Sequence, residues 1–292
     1  MVRRLLACCF ALGASATQAA AIPGSTYGHE LLLAVSRANP QLLAASISAR
    51  PPKAAEAVVV ASTDPQAALG RSDAADLAAS ASATPVPAVS PSGERLEVRL
   101  PLHDVSGDTI GTLHLSYAYQ PGGDRAALER RAESVRDFLQ RRISHAANLL
   151  DPYPFEPDAP SHTYAQQLVD EFLERYPQIE ILAIHATPPD SDYNIIAGSN
   201  IGRLGKKADN DDMRCVFTGK PNLELNSSGK RFESEMQLHD RAGTVIGAVG
   251  VVFAYRKGDD KEALHERAEK IKAELEKRIP DSAALFRPAA AH

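Results

Sequence analysis

The chain has 292 residues, a length that fits one or two ordinary domains. Hydrophobic residues make up 44% and charged residues 24%, a balance that excludes wholesale disorder. A net charge of −5 argues against general nucleic-acid binding, and three cysteines exclude a disulfide scaffold or a multi-cysteine zinc module.

Residues 1–21 read as a secretory signal peptide. Arg3 and Arg4 precede a short apolar run, and small residues follow in A-x-A settings. The run is too short to cross a bilayer, and no other stretch approaches about 18 apolar residues, so no membrane span is expected. A lipoprotein reading at Cys8 would leave almost no apolar segment before the cut. Removal of the segment takes two positive charges, so the mature charge is −5 − 2 = −7. The expected location is secreted, in a bacterial periplasm. Cys215 then stands alone in an oxidising compartment and reads either as a small buried hydrophobe or as a reactive or intermolecular thiol.

The first module is expected over 22–150. Its residues 70–73 (Gly-Arg-Ser-Asp) lead into an Ala/Ser/Pro-rich stretch, 74–91, that reads as a degenerate, low-complexity loop. Leu128, Ala132, Val135, Leu139 and Ile143 form one stripe of a long closing helix. Residues 151–161 hold four prolines and read as a linker.

The second module is expected over 162–281. A helix over 164–175 stops at Pro177, and strands follow at 179–185 and 193–198. A loop with Gly198, Gly202 and Gly205 leads to a short helix over 209–218, capped by Asp209 or Asp211 and closed by Gly219. Residues 231–239 alternate, with Phe232, Ser234, Met236 and Leu238 on one face. A turn at 240–243 joins this strand to a β-rich run over 244–255. Leu264, Ala268, Ile271, Leu275 and Ile279 stripe the last helix. It can pack on its own sheet or enter a coiled coil. Residues 282–292 are expected to be a disordered tail.

The two halves are copies. Residues 102–143 and 238–279 align without a gap at an offset of 136, and 18 of the 42 positions are identical. Helix, two strands, loop, short helix, strand hairpin and long helix describe an α+β module built twice, each copy an antiparallel sheet flanked by an N-terminal and a long C-terminal helix.

The second copy runs I-I-A-G-S-N-x-G-R-L-G-K-K-A-D, then a short helix ending T-G-K, then F-E-x-E-M-Q-L-H-D-x-x-G-x-x-I-G. This resembles the extracytoplasmic PAS-like sensor modules called Cache or PDC domains. The L-H-D-x-x-G-x-x-I-G piece, present in both copies, is mainly a hairpin signature. The chain departs from that family in having neither a membrane tether nor an output domain, in carrying a long C-terminal helix on each copy, and in the absence of a complete ligand signature.

The resemblance implies a small ligand under the loop and short helix of the second module. It points to Asn200, Arg203, Lys206, Lys207, Asp209, Asp212 and Arg214, with Tyr193 and Glu233 as walls. Gly-rich backbone and paired lysines before a helix N-terminus suit a carboxylate or phosphate. The competing reading is a solvated loop. His103, Asp104, His239 and Asp240 read as turn residues. His185 ends a strand without H-x-x-H or H-E-x-x-H spacing, so no metal site is expected. No nucleophile motif is present, so no enzyme activity and no cofactor are expected.

The implied function is an exported, soluble sensor or binding protein for a small, anionic ligand. The alternative is an envelope protein-interaction or scaffolding module without one. Its partners would be a small molecule or an envelope signalling protein, not nucleic acid. The oligomeric state is not legible.

Overall fold

A computed structural model describes residues 26–289. The segment expected to be a signal peptide, 1–21, lies outside these residues, and within them no helix is long and apolar enough to cross a membrane.

The first module comprises α1 (Tyr27–Ala38), β1 (Leu42–Ala49), β2 (Val58–Ser62), α2 (Ala74–Ser80), β3 (Val86–Val89), β4 (Arg95–His103), β5 (Thr109–Ala118) and α3 (Arg125–Gln140). The second repeats the order as α4 (Tyr164–Arg175), β6 (Ile179–Ala186), β7 (Ile195–Ser199), α5 (Asn210–Thr218), β8 (Asn222–Leu225), β9 (Arg231–His239), β10 (Val245–Ala254) and α6 (Lys261–Glu276). The sheets are antiparallel, with orders β2-β1-β5-β4-β3 and β7-β6-β10-β9-β8. This is the expected α+β architecture of two duplicated PAS-like modules.

Side-chain caps start the helices. Thr26, Asp73, Asp124, Thr163, Asp209 and Asp260 each accept a first-turn N–H. Strand alternation then divides the work of each sheet. In the second, Leu182, Ile184, Met236, Leu238, Val249, Val251 and Phe253 turn to α4 and α6, which bring Leu168, Phe172, Ile271 and Leu275 into one core. Each leucine buried there contributes about 2 kcal/mol. The first module builds the same core from α1, α3 and its own sheet. Both long helices therefore pack on their own sheets.

Gly111 and Gly247 explain the repeated I-G step. A Cβ at Gly111 would stand 1.9 Å from Ser48 O, and one at Gly247 would stand 1.8 Å from His185 O. The central strands can approach their neighbours only where a side chain is absent. In the preceding turns, Asp104 Oδ1 accepts from the N–H groups of Ser106 and Asp108, and Asp240 Oδ1 from those of Ala242 and Thr244.

Two expectations are corrected, and one strand is added. The 74–91 stretch is not a loop: it holds α2, capped by Asp73, and the edge strand β3. Alanine is the best helix former, and the Ser and Pro around it hid the signal. The edge strand β8 also went unread because four exposed residues carry no usable period. Finally, the segment after 281 is ordered through 289. A 3-10 turn, Ala283–Phe286, buries Leu285 in the second core, and Thr163 bridges to Pro288.

The modules are joined by buried polar contacts. Tyr27 Oη lies 2.9 Å from both Arg142 O and Asn200 O, and Asn148 Nδ2 donates to Ile201 O at 3.0 Å.

Candidate functional site

The face of the second sheet turned away from α4 and α6 is polar. The alternation that sends Phe232, Ser234, Met236 and Leu238 one way sends Glu233, Glu235 and Gln237 the other. On β6, Ile181, Ala183 and His185 share that other face.

Helix α5 crosses above them. A capping box starts it: Asp209 Oδ1 accepts from the Asp211 and Asp212 N–H groups, and Asp212 Oδ2 accepts from the Asp209 N–H at 2.7 Å. Gly219 ends it in the left-handed region, at φ 68°. Two bonds hold α5 to β9: Gln237 Nε2 donates to Val216 O at 2.6 Å, and the Cys215 thiol reaches Glu235 O at 3.5 Å. Cys215 is fully buried, and burial pushes its thiol up to about 11. It is a small packed side chain rather than a reactive thiol.

Between this face, the 199–206 loop and the edge of the first module lies a cleft of about 580 Å³. Arg203, Lys206 and Arg231 supply its positive side, and Asp212 and Glu233 its acidic floor. The first module contributes Asp104 and His145. Burial, with Glu224 and Asp212 nearby, pushes the Glu233 carboxyl up to about 7. Its counterpart Glu97 behaves in the opposite way: a hydrogen bond from His114 Nε2, at 2.5 Å, holds its carboxyl below the usual range. The second module has Gly250 where the first has His114, since β10 and β9 share the register of β5 and β4.

Beneath α5, His185, Asp212 and Glu235 converge, with one nitrogen or oxygen from each within 4.8 Å of the others. His185 Nδ1 lies 3.5 Å from Asp212 Oδ2. Burial and the neighbouring Asp212 carboxylate hold Glu235 in its protonated form. Burial works against ionised Asp212 too, but its bond with Glu235 and the nearby His185 outweigh it and hold the carboxyl low. Desolvation keeps His185 neutral.

Of the nine residues picked from sequence, Arg203, Lys206, Asp212 and Glu233 line the cleft. The other five are placed elsewhere. Asn200 is buried in the module junction: its amide donates to Arg141 O and Glu180 O and accepts from the Leu182 N–H. Tyr193 is 59% exposed, with Lys207 Nζ 4.0 Å above its ring. Asp209 is spent as the α5 cap. Arg214 pairs with Asp211 on the surface and donates to Asn222. Sequence reasoning missed Glu235 and Arg231, and set His185 aside. The alternation of 231–239 carries the signal for Glu235, because it puts that residue beside Glu233 on one face. For His185 there was no local signal, since its neighbours come from another strand and a helix.

No known family matches the chain, and no curated protein matches it. Among solved structures, it is similar to the GAF domain of A. Aeolicus nlh2, with a TM-score of 0.30 and 18% identity over 39% of this chain and 82% of that one. PelD from Pseudomonas aeruginosa gives 0.28 and 15% over 88% and 79%. The sensor region of a sensor histidine kinase gives 0.19 and 12% over 76% and 90%. At these scores the fold rests on the strand order described above, and no family is assigned.

Proposed function

We propose that the protein is an exported, non-enzymatic sensor or binding protein whose second module takes a small polar ligand in the cleft. One observation carries this reading. The cleft of about 580 Å³ has Arg203 and Lys206 on one wall and the carboxyls of Glu233 and Asp212 on its floor. Such a site holds an anionic group at the cationic wall and accepts donors at the floor. The first module has clefts of about 230 Å³ and about 550 Å³ beside Asp76, each lined by one arginine, where the second module's cleft gathers Arg203, Lys206 and Arg231, which favours the second as the binding module.

A thermal-shift screen of carboxylates, phosphates and amino acids on the mature chain tests it. A compound that raises Tm in the parent and not in Arg203→Ala or Lys206→Ala supports the reading; no stabilisation by any compound sinks it. Export is tested separately, by sequencing the N-terminus of the periplasmic product, which should begin after Ala19 or Ala21.

A second reading, an envelope protein-interaction module, is favoured by Phe217. It is 78% exposed on α5 and borders one groove with Met213, Val216 and Val245. A crosslinked envelope partner lost in Phe217→Ser would support it, and equal recovery with both proteins would discard it.

A further inference from the structure

The duplication supplies an internal control for the cluster beneath α5. Strand registers and helix caps align His185 with Ser48, Asp212 with Asp76, and Glu235 with Arg99. The first module closes this constellation on itself. Ser48 Oγ donates to Asp76 Oδ2 at 2.5 Å, and Arg99 Nε donates to Asp76 Oδ1 at 2.9 Å. A buried carboxylate is thus matched by a guanidinium and a hydroxyl, as burial of charge requires.

The second module keeps the carboxylate, now held by the Asp209 N–H and the Glu235 carboxyl, and loses the guanidinium and the hydroxyl. Where the guanidinium stood there is a second carboxyl, Glu235, only 4% exposed. Where the hydroxyl stood there is an imidazole, His185, only 7% exposed. Its Nδ1 is buried without a hydrogen-bond partner and lies 3.5 Å from Asp212 Oδ2. A buried nitrogen left unpaired beside two carboxyls is costly unless something else occupies the space between them.

We propose that the second module binds a divalent transition-metal ion of the zinc class through His185 Nδ1, Asp212 and Glu235, with its remaining coordination position open to the cleft. The ion supplies the positive charge that Arg99 supplies in the first module. Ligands about 2.1 Å from a tetrahedral ion stand about 3.4 Å apart; the His185–Asp212 pair lies at 3.5 Å, and all three donor atoms lie within 4.8 Å of one another. The donor set, one imidazole and two carboxylates, favours zinc, manganese or iron over calcium and magnesium, which take all-oxygen sites. His185 and Asp212 both reach the cleft wall, so a ligand bound there can complete the coordination shell.

This inference deepens the binding-protein reading, because it names one group that holds the ligand. Calorimetric titration of metal-stripped full chain with ZnCl2, repeated with CoCl2 and read by visible absorption, tests it. The expected result is one zinc per chain, with affinity at least 100-fold weaker in His185→Gln and no detectable binding in Glu235→Arg. That second variant rebuilds the carboxylate–guanidinium pair of the first module, so it should keep the parent's circular dichroism. Asp211→Asn, an exposed neighbour, should leave the titration unchanged. Absence of zinc binding by the parent, or equal binding by His185→Gln and Glu235→Arg, overturns the proposal. Running the metabolite screen with and without zinc separates the two readings. Zinc bound without any organic ligand removes the sensor reading and keeps the metal; an organic ligand bound at full strength, with no zinc titrating, does the reverse.

Discussion

At the scale of single residues, the duplication shows how one substitution changes the chemistry of a buried group. Glu97 and Glu233 occupy one position in two copies of a fold, yet His114 stabilises the first as a carboxylate, while the second faces Gly250 and other carboxyls. Glu180, at the module junction, is a further case. Burial pushes its carboxyl from 4.5 up to about 7, against the attraction of Arg231, and Asp104 adds to the rise. The folded chain therefore holds a proton on Glu180 between those values that the unfolded chain has released, and stability falls as pH rises from about 4.5 to about 7. Glu180→Gln removes that loss. Its Tm should match the parent at pH 4.5 and exceed it at pH 8; a difference that is the same at both pH values would contradict the assignment.

At the scale of elements, legibility followed periodicity. The alternation of β9 and the stripe of α6 are long enough to read directly, as were the proline that stops α4 and the aspartate cap that places α5. Short edge strands gave no such signal, and α2 was hidden by its surroundings. Four of the nine chosen site residues lie together because the loop and α5 were placed correctly. Those that lie elsewhere are occupied by contacts that only the tertiary structure defines, as with Asn200 and the carbonyl groups it bonds. The I-G step makes a testable claim at this scale. A methyl at position 247 would meet His185 O at 1.8 Å, so β10 and β6 cannot keep their register. Gly247→Ala should destabilise the chain by about 3 kcal/mol. Urea denaturation reads it, and a loss under about 1 kcal/mol would show that the strands can separate without cost.

At the scale of the whole molecule, two hydrophobic cores are joined by buried polar contacts. Asn200 is the centre of that junction. Its amide bonds Arg141 O at 2.7 Å in the first module and Glu180 O at 2.9 Å in the second, and its Oδ1 takes the Leu182 N–H at 3.0 Å. Its own carbonyl receives the Tyr27 hydroxyl at 2.9 Å. Truncation to alanine orphans two buried carbonyls and one N–H, each worth about 1–3 kcal/mol when left unpaired. Because the orphans lie on both modules, the damage is shared and the link between the cores weakens. Asn200→Ala should lower stability by about 3 kcal/mol and convert one urea transition into two, followed by tyrosine fluorescence since the chain has no tryptophan. Each resolved transition should have a smaller denaturant slope than the parent's single one, because each exposes only one core. A parent that already unfolds in two steps, or a variant that keeps one transition at unchanged slope, would mean that the junction does not couple the modules. The cleft that draws Asp104 and His145 from one module and Glu233 from the other could then not transmit occupancy between them.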